Sequence, residues 1–349
     1  MSTHVPIQIA TLLLLDEAGA VPSAGRWLLA GGEAALAEGL ARSGVALDWL
    51  PFDVRERDLA PDHVVVRDNI GGAYECVVLP VTPDRRLARR WLVIARQVLV
   101  PGGVLLVAGA NAEGAKSVMA DARSVFGAPV VEDYRQKHRI GRFVRRDDPG
   151  GLPSWAQEEG IGPGSWQQVD LEIAGQMVTL ETQPGVFAAD RLDAGTRLLL
   201  DHLEVSPGSR VLDVGCGAGA IGIAASLHGA SAVDLVDANL LAIAAAARNL
   251  ERLGISGRAI ASDVFDAVSD KKYDLIVSNP PFHQGKQVDY SVADRLINEA
   301  PRHLLPGGRL LVVANAFLAY GKQLGRVFRQ VETVAATRQY HVLLATDPR

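Results

Sequence analysis

The chain has 349 residues, 48% of them hydrophobic, and a formal net charge of −5, which excludes a disordered or uniformly basic protein and favours two packed domains over one; any nucleic-acid contact has to come from a local basic patch. Two cysteines, Cys76 and Cys216, exclude a disulfide framework or cysteine zinc cluster and suit a reducing compartment. No run reaches the ~18 to 20 apolar residues of a membrane span and the start lacks the pattern of a secretory leader, so a soluble cytoplasmic protein with no membrane partner is expected.

Between residues 26 and 146, candidate strands Trp27–Leu29, Val64–Val66, Glu75–Pro80 and Val104–Ala108 alternate with helical patterns at Glu33–Arg42 and Asp84–Val100. Such alternation predicts a mainly parallel sheet with helices on both faces. Two basic clusters lie here. Arg85, Arg86, Arg89 and Arg90 share one helical stretch, where a solvated face explains them as well as RNA phosphate does. Arg135, Lys137, Arg139 and Arg142, continued by Arg145 and Arg146 and interleaved with Tyr134 and Phe143, are the better candidates for substrate RNA. Residues 147–166, rich in Gly and Pro and without apolar periodicity, are expected to link a first domain, 1–146, to a second, 167–349.

The second half opens with an alternating hairpin pattern at 169–181 around Ala-Gly-Gln, then a turn and amphipathic helix within 184–203. Five strand-helix units follow, with strands Val211–Val214, Ala232–Asp237, Arg258–Asp263, Asp274–Ser278 and Arg309–Ala314. The helix Leu240–Leu253 stops at Gly254, a C-terminal capping glycine. The tail predicts two final strands, the last a returning antiparallel edge. An internal echo joins the halves: VLVPGGVLLVAGAN (98–111) parallels HLLPGGRLLVVANA (303–316), and Tyr74–Pro80 parallels Tyr273–Asn279. Two matched pairs in the same order favour two copies of one fold over chance fragments of any α/β sheet.

Only the second copy carries a complete set of chemical groups. SRVLDVGCGAG (209–219) runs an apolar strand into a loop with Gly215, Gly217 and Gly219 at alternate positions, where a ligand can approach the backbone closely. Gly217–Gly222 matches the dinucleotide pattern G-x-G-x-x-G, a weak signal alone. Asp213, two residues before the first glycine, repels a pyrophosphate but suits an ammonium or sulfonium group. Asp237 ends the next strand, where a carboxylate accepts ribose hydroxyls, and Asp263 ends the third, where one could take an adenine amino group. Each alone could cap the following helix; three in succession fit S-adenosylmethionine better than a nicotinamide dinucleotide. The expected cofactor set is Asp213, Gly215, Cys216, Gly217, Gly219, Asp237, Ala238, Asp263, Val264 and Asn279, with Cys216 a small packing residue of the loop.

Asn279-Pro280-Pro281-Phe282 closes the fourth strand of this half. An amide oxygen and a neighbouring main-chain carbonyl can both accept from one planar NH2 group, and proline holds the carbonyl in place. Asn279 and Pro280 are therefore the expected clamp, and Phe282 a face on which a base stacks. Pro281 and His283 follow as lesser substrate contacts. A proline turn with a core phenylalanine is the plain alternative; the glycine loop ahead of it favours catalysis.

These motifs resemble a class I methyltransferase acting on an amino nitrogen, and the layout resembles the ribosomal RNA small subunit methyltransferase C family. PGVFAADRLDAGTRLLL, VLDVGCGAG, SNPPFHQG and VVANAFLAYGKQL carry the likeness over most of 184–325; the first domain matches mainly in layout. The resemblance implies two tandem Rossmann-like methyltransferase domains, the N-terminal one degenerate and the C-terminal one built on a seven-stranded mixed sheet. It implies methyl transfer from S-adenosylmethionine, leaving S-adenosylhomocysteine, to guanine N2 of 16S RNA in the 30S subunit or an assembly particle. A guanine within a duplex must be flipped out to reach the tip. A monomer is expected. A sister family modifying a 23S guanine shares the tip; chain length and the PGVF…LDAGT stretch favour the first. Protein-glutamine and adenine-N6 methyltransferases share similar tips but not the duplication, and a non-catalytic assembly factor or a nicotinamide oxidoreductase are readings from other classes.

Overall fold

The computed structural model describes residues 8–147, 151–173, 175–280 and 291–349. They fall into two compact units, Met1–Trp166 and Gln167–Arg349. In the first, α1 (Ile9–Ala18) precedes β1 (Arg26–Ala30), α2 (Ala34–Arg42), β2 (Ala46–Leu50), α3 (Val54–Arg57), β3 (Val65–Val66) and β4 (Tyr74–Pro80). Then come α4 (Arg85–Val98), β5 (Leu99–Ala110), α5 (Ala115–Phe126), β6 (Val131–Arg135) and β7 (His138–Val144). The second opens with the hairpin β8 (Gln167–Ile173) and β9 (Gln176–Thr182) and the short α6 (Ala194–Leu200). It continues with β10 (Arg210–Val214), α7 (Ala220–Leu227), β11 (Ala232–Asp237), α8 (Leu240–Leu253), β12 (Gly257–Ala261) and β13 (Tyr273–Ser278). The last elements are α9 (Ser291–Glu299), β14 (Leu304–Asn315), α10 (Tyr320–Val327), β15 (Phe328–Ala336) and β16 (Tyr340–Pro348).

Each unit holds a seven-stranded sheet of one design, in the order β3-β2-β1-β4-β5-β7-β6 and β12-β11-β10-β13-β14-β16-β15. Six strands of each sheet run in one direction; β7 in the first and β16 in the second run against them and pair antiparallel on both sides. The parallel strands read as unbroken apolar runs because helices cover both faces, so Leu212, Leu235, Ile276 and Val312 are buried. β5 and β14 even share one burial pattern over 12 residues.

The duplication extends to polar groups. Arg26 pairs in register with Ala46 as Arg210 does with Ala232, which makes Asp48 the counterpart of Asp234. The Tyr74 hydroxyl donates to Asp48 at 2.9 Å and the Tyr273 hydroxyl to Asp234 at 2.8 Å. Arg26 and Arg210 each sit over the corresponding tyrosine ring, and their backbone N–H groups donate to Glu75 and Asp274 respectively. A carboxylate in the middle of a buried strand is tolerable only when paired and hydrogen-bonded. Arg26 and Arg67 neutralise the first, Arg258 and Lys271 the second, and these bonds hold both carboxyls below the ordinary range against the opposing effect of burial. Asp48 also explains why β2 escapes the sequence pattern: a charge interrupts a five-residue strand.

Three expectations need correction. α4 ends at Val98, and Leu99 already pairs with Tyr74, so the helix does not reach Val100. β12 ends at Ala261, which places Asp263 in the loop beyond the strand. The final strand is antiparallel but is not the edge: β16 lies between β14 and β15. Its Val342, Leu343 and Ala345 are buried, whereas β15 exposes Arg329, Gln330 and Glu332 and so takes the solvated edge. Residues 151–166 pack on α4, where Val93, Ala156 and Ile161 form a small core. There Arg90 donates to the carbonyls of Gly160 and Ser165 at 2.6 and 3.0 Å.

Candidate functional site

The site of the second unit stands at the carboxyl ends of β10 and β13, where two crossover connections diverge to opposite sides of the sheet, the place where open α/β sheets take ligands. β10 delivers Asp213 and passes into the loop with Gly215, Gly217 and Gly219 at φ 73°, 55° and 92°, a left-handed backbone that side chains with a Cβ adopt at a cost. The N–H groups of Gly215 and Cys216 both donate to the Val236 carbonyl, pinning the loop to the end of β11. Gly222, one turn into α7, is required by packing: a Cβ there would lie 1.9 Å from Leu235 Cδ2.

Asp213 is fully buried; its Oδ2 accepts from Gly222 N–H at 2.9 Å, while Oδ1 has no hydrogen-bond partner among the described residues. Burial first, and the nearby Asp237 charge second, push its carboxyl up to about 7. A buried carboxylate oxygen without a partner among the described residues, beside an open loop, is suited to receive a cationic group. Asp237 closes β11 and accepts from Gly217 N–H at 2.9 Å and Asn239 N–H at 2.8 Å, so it shapes the loop as well as facing it. Ala238 leads on to Asn239, which caps α8 and ties it to the Gly185 carbonyl at 2.6 Å. Cys216 is buried, and burial pushes its thiol well above the ordinary value, so it packs and does not react.

Asn279 follows β13. Its Nδ2 donates to Thr196 Oγ1 at 2.8 Å and Asp193 Oδ2 at 3.1 Å, while Oδ1 is buried and finds no partner among the described residues. The next residue, Pro280, is buried and lacks an N–H, which leaves its carbonyl as its backbone hydrogen-bonding group. A cleft with an empty volume of about 570 Å³ is lined by Gly215, Gly217, Asn279, Asp193, Thr196 and Phe187, among others. Cys216 lines it too. Asp263 and Val264 follow β12, the neighbour of β11: Arg295 donates to Asp263 Oδ2 at 2.7 Å, and Val264 is buried at φ 52°. Pro281, Phe282 and His283 lie outside the described residues.

The sequence reading missed several contributors. Asp193 caps α6 by accepting from Thr196 N–H at 3.0 Å, and the same side chains hold Asn279; the Asp-Ala-Gly-Thr cap pattern was the available signal. Asn249, fully buried on α8, donates to the carbonyls of Glu181 and Ala218 and so fastens the glycine loop to β9. Phe187, 68% exposed, stands at the mouth of the cleft.

In the first unit the equivalent positions are closed. Register puts Leu29 where Asp213 stands and Pro80 where Asn279 stands. Phe52 lies so close to Gly31 that a Cβ there would meet the ring at 2.6 Å, and it stacks on Trp91 with centroids 5.4 Å apart. Arg135, Arg139 and Arg142 lie on the β6–β7 hairpin, paired with Asp133, Glu132 and Glu17 respectively. Lys137 sits exposed in its turn.

Comparison with known proteins bears on this arrangement. Residues 177–344 match the family model of the methyltransferase small domain. The chain is 38% identical over 294 residues to the ribosomal RNA small subunit methyltransferase C of Chromohalobacter salexigens, covering 83% of each chain. It is 35% identical over 256 residues to that of Salmonella enteritidis PT4, covering 70% of this chain and 68% of the relative. A solved structure of the T. thermophilus 16S rRNA N2 G1207 methyltransferase in complex with AdoMet and guanosine superimposes with a TM-score of 0.82 at 28% identity, over 98% of this chain and 92% of that one.

Proposed function

The chain belongs to the ribosomal RNA small subunit methyltransferase C family, and from that premise we propose that its second unit methylates the exocyclic N2 amino group of a guanine in 16S ribosomal RNA. It is an S-adenosylmethionine-dependent enzyme with ribosomal RNA as substrate. The observation that carries the reading is the buried Asn279 Oδ1 at the end of β13, beside the glycine loop and without a partner among the described residues.

S-adenosylmethionine, when bound, supplies a methyl group on a positively charged sulfur that an amine lone pair can displace. The orphaned Oδ1 of Asp213 fits the ammonium end of such a cofactor, and Asp237 its ribose hydroxyls, with Gly215, Cys216, Gly217 and Gly219 giving the backbone room to approach. Ala238, Asp263 and Val264 belong to the proposed adenine side, although Arg295 already occupies one Asp263 oxygen. Asn279 Oδ1 and the Pro280 carbonyl would each accept one hydrogen of the guanine amino group, which turns its lone pair out of conjugation towards the cleft. Catalysis of this kind is positioning rather than prior proton abstraction, and the methylated nitrogen sheds its surplus proton after transfer. Phe282, Pro281 and His283 complete the proposed substrate contacts. Arg135, Lys137, Arg139 and Arg142 are proposed contacts for the RNA backbone, in a first domain spanning 1–146 that keeps the scaffold without the site. A cytoplasmic monomer acting on the 30S subunit completes the reading; no helix among the described residues is long and apolar enough to cross a membrane.

The test is methyl transfer from labelled S-adenosylmethionine to 30S particles, 50S particles and naked 16S and 23S RNA, followed by nucleoside analysis. N2-methylguanosine in 16S RNA is the expected product. The same nucleoside in 23S RNA alone would move the protein to the sister specificity, and no label in any RNA would overturn the reading.

A further inference from the structure

We infer that Asp193 and Thr196 are positioning residues which fix the side-chain amide of Asn279 with its oxygen towards the cleft, and that this orientation, rather than the mere presence of an asparagine, makes the site accept an amino group. The inference rests on the function proposed above and concerns how its clamp is set. An asparagine amide has two ends of nearly equal size and opposite hydrogen-bonding character. Turned one way, Asn279 accepts from a guanine amino group; turned by 180° about its last bond, it presents two N–H donors to the same group and repels it. The choice between the two is worth the whole interaction.

The surroundings decide it. A carboxylate only accepts, so Asp193 Oδ2, 3.1 Å away, can face only the NH2 end. Thr196 Oγ1 accepts the second N–H at 2.8 Å. Both donors are thereby used, and the buried Oδ1 is left without a partner among the described residues. The two acceptors are themselves held: Asp193 caps α6 by accepting from Thr196 N–H at 3.0 Å, and Thr196 is 8% exposed. Gly195 between them is buried against the Tyr340 ring, which a Cβ would approach to 3.1 Å. Asp193-Ala-Gly-Thr196 is therefore a short cap whose two side chains converge on one amide, and both line the cleft. A cap needs an acceptor at its first position; it has no need of a second acceptor aimed away from the helix.

The test uses the full-length enzyme with 30S particles and saturating S-adenosylmethionine, reading kcat, KM, cofactor Kd and melting temperature. Thr196→Val removes one acceptor at nearly constant volume. Asp193→Asn keeps a cap oxygen but can turn a donor on Asn279, which favours the inverted amide. Each is expected to lower kcat by about tenfold or more, the scale of one lost orienting hydrogen bond, with cofactor Kd within about twofold of wild type. Thr196→Ser, which restores the hydroxyl, is expected to restore the rate. Asn279→Ala separates the two readings: if it turns over normally, the clamp itself is refuted. If it is inactive while folded Thr196→Val and Asp193→Asn turn over normally, the clamp stands and the positioning role falls. Failure of Thr196→Ser to recover, or a loss of cofactor affinity as large as the loss of rate, also overturns the inference. Should Asp193→Asn fail to fold, the Val and Ser pair at 196 decides alone.

Discussion

At the scale of single residues, the site is built from groups left unfinished. Asp213 is the clearest: a carboxylate with no exposure, one hydrogen bond among the described residues, and a pKa pushed up to about 7 by burial and by Asp237. Its pH dependence follows from sign alone. Below about pH 7 the group is neutral and offers an incoming ammonium no charge, so binding there must first expel a proton; above it, the charge is already present. Cofactor affinity measured by calorimetry is expected to strengthen from pH 6 to pH 8 and level off, and Asp213→Asn should bind more weakly and lose the slope. In the free protein the same shift acts in the opposite direction. A folded pKa above the ordinary carboxyl value means that Asp213 favours the folded state most below about pH 4, and that this contribution is lost as pH rises through about 7. The melting temperature of Asp213→Asn without cofactor should therefore fall less, between pH 5 and 8, than that of the wild type.

Elements explain where those residues stand. α7 can begin directly above β10 because Gly222 lets its backbone come within reach of Asp213 and Leu235. A methyl group there would have to displace the Leu235 side chain inside a fully packed layer. Gly222→Ala is expected to destabilise the second unit by about 1–3 kcal/mol, the ordinary cost of overpacking, and to weaken cofactor binding because the loop moves with the helix. Denaturant unfolding of the variant checks the first and calorimetry the second; an unchanged midpoint would show that Leu235 gives way freely. The α6 cap acts at the same scale, joining a seven-residue helix to the tip of a strand that lies 83 to 86 positions away in sequence.

Across the whole molecule, one design is used twice with different contents. Both sheets keep the buried Asp–Tyr pair under a stacked arginine, since that network holds three strands together whatever the loops do. Only the second keeps the groups at the carboxyl ends; in the first, Leu29 and Pro80 stand at the matching positions and Phe52 fills space beside Gly31. The basic stretch of the first unit is less free than its composition suggests, because Arg135, Arg139 and Arg142 have acidic partners. If the hairpin meets RNA, Lys137→Ala should reduce the slope of log affinity against log salt by about one. Filter binding of 16S RNA across a salt series would read this directly, and an unchanged slope would place the contact elsewhere.

The sequence by itself determined the class of fold, the repeat and the chemical groups of the cofactor loop, because these depend on near neighbours. Apolar runs make buried parallel strands, alternate glycines make a loop that a ligand can approach, and Asp213 and Asn279 announce themselves through the residues beside them. What the tertiary structure decided depends on partners far away along the chain. β2 was hidden by Asp48, whose charge is acceptable only beside Arg26, Arg67 and Tyr74. The position of β16 inside the sheet followed from competition between two tail strands for the buried place. Asp263 was claimed by Arg295 from another element. The direction of the Asn279 amide required Asp193 and Thr196, which no local pattern connects to it. Residue type is a local property, but the state a polar group adopts is set by whatever folding brings within 3 Å of it.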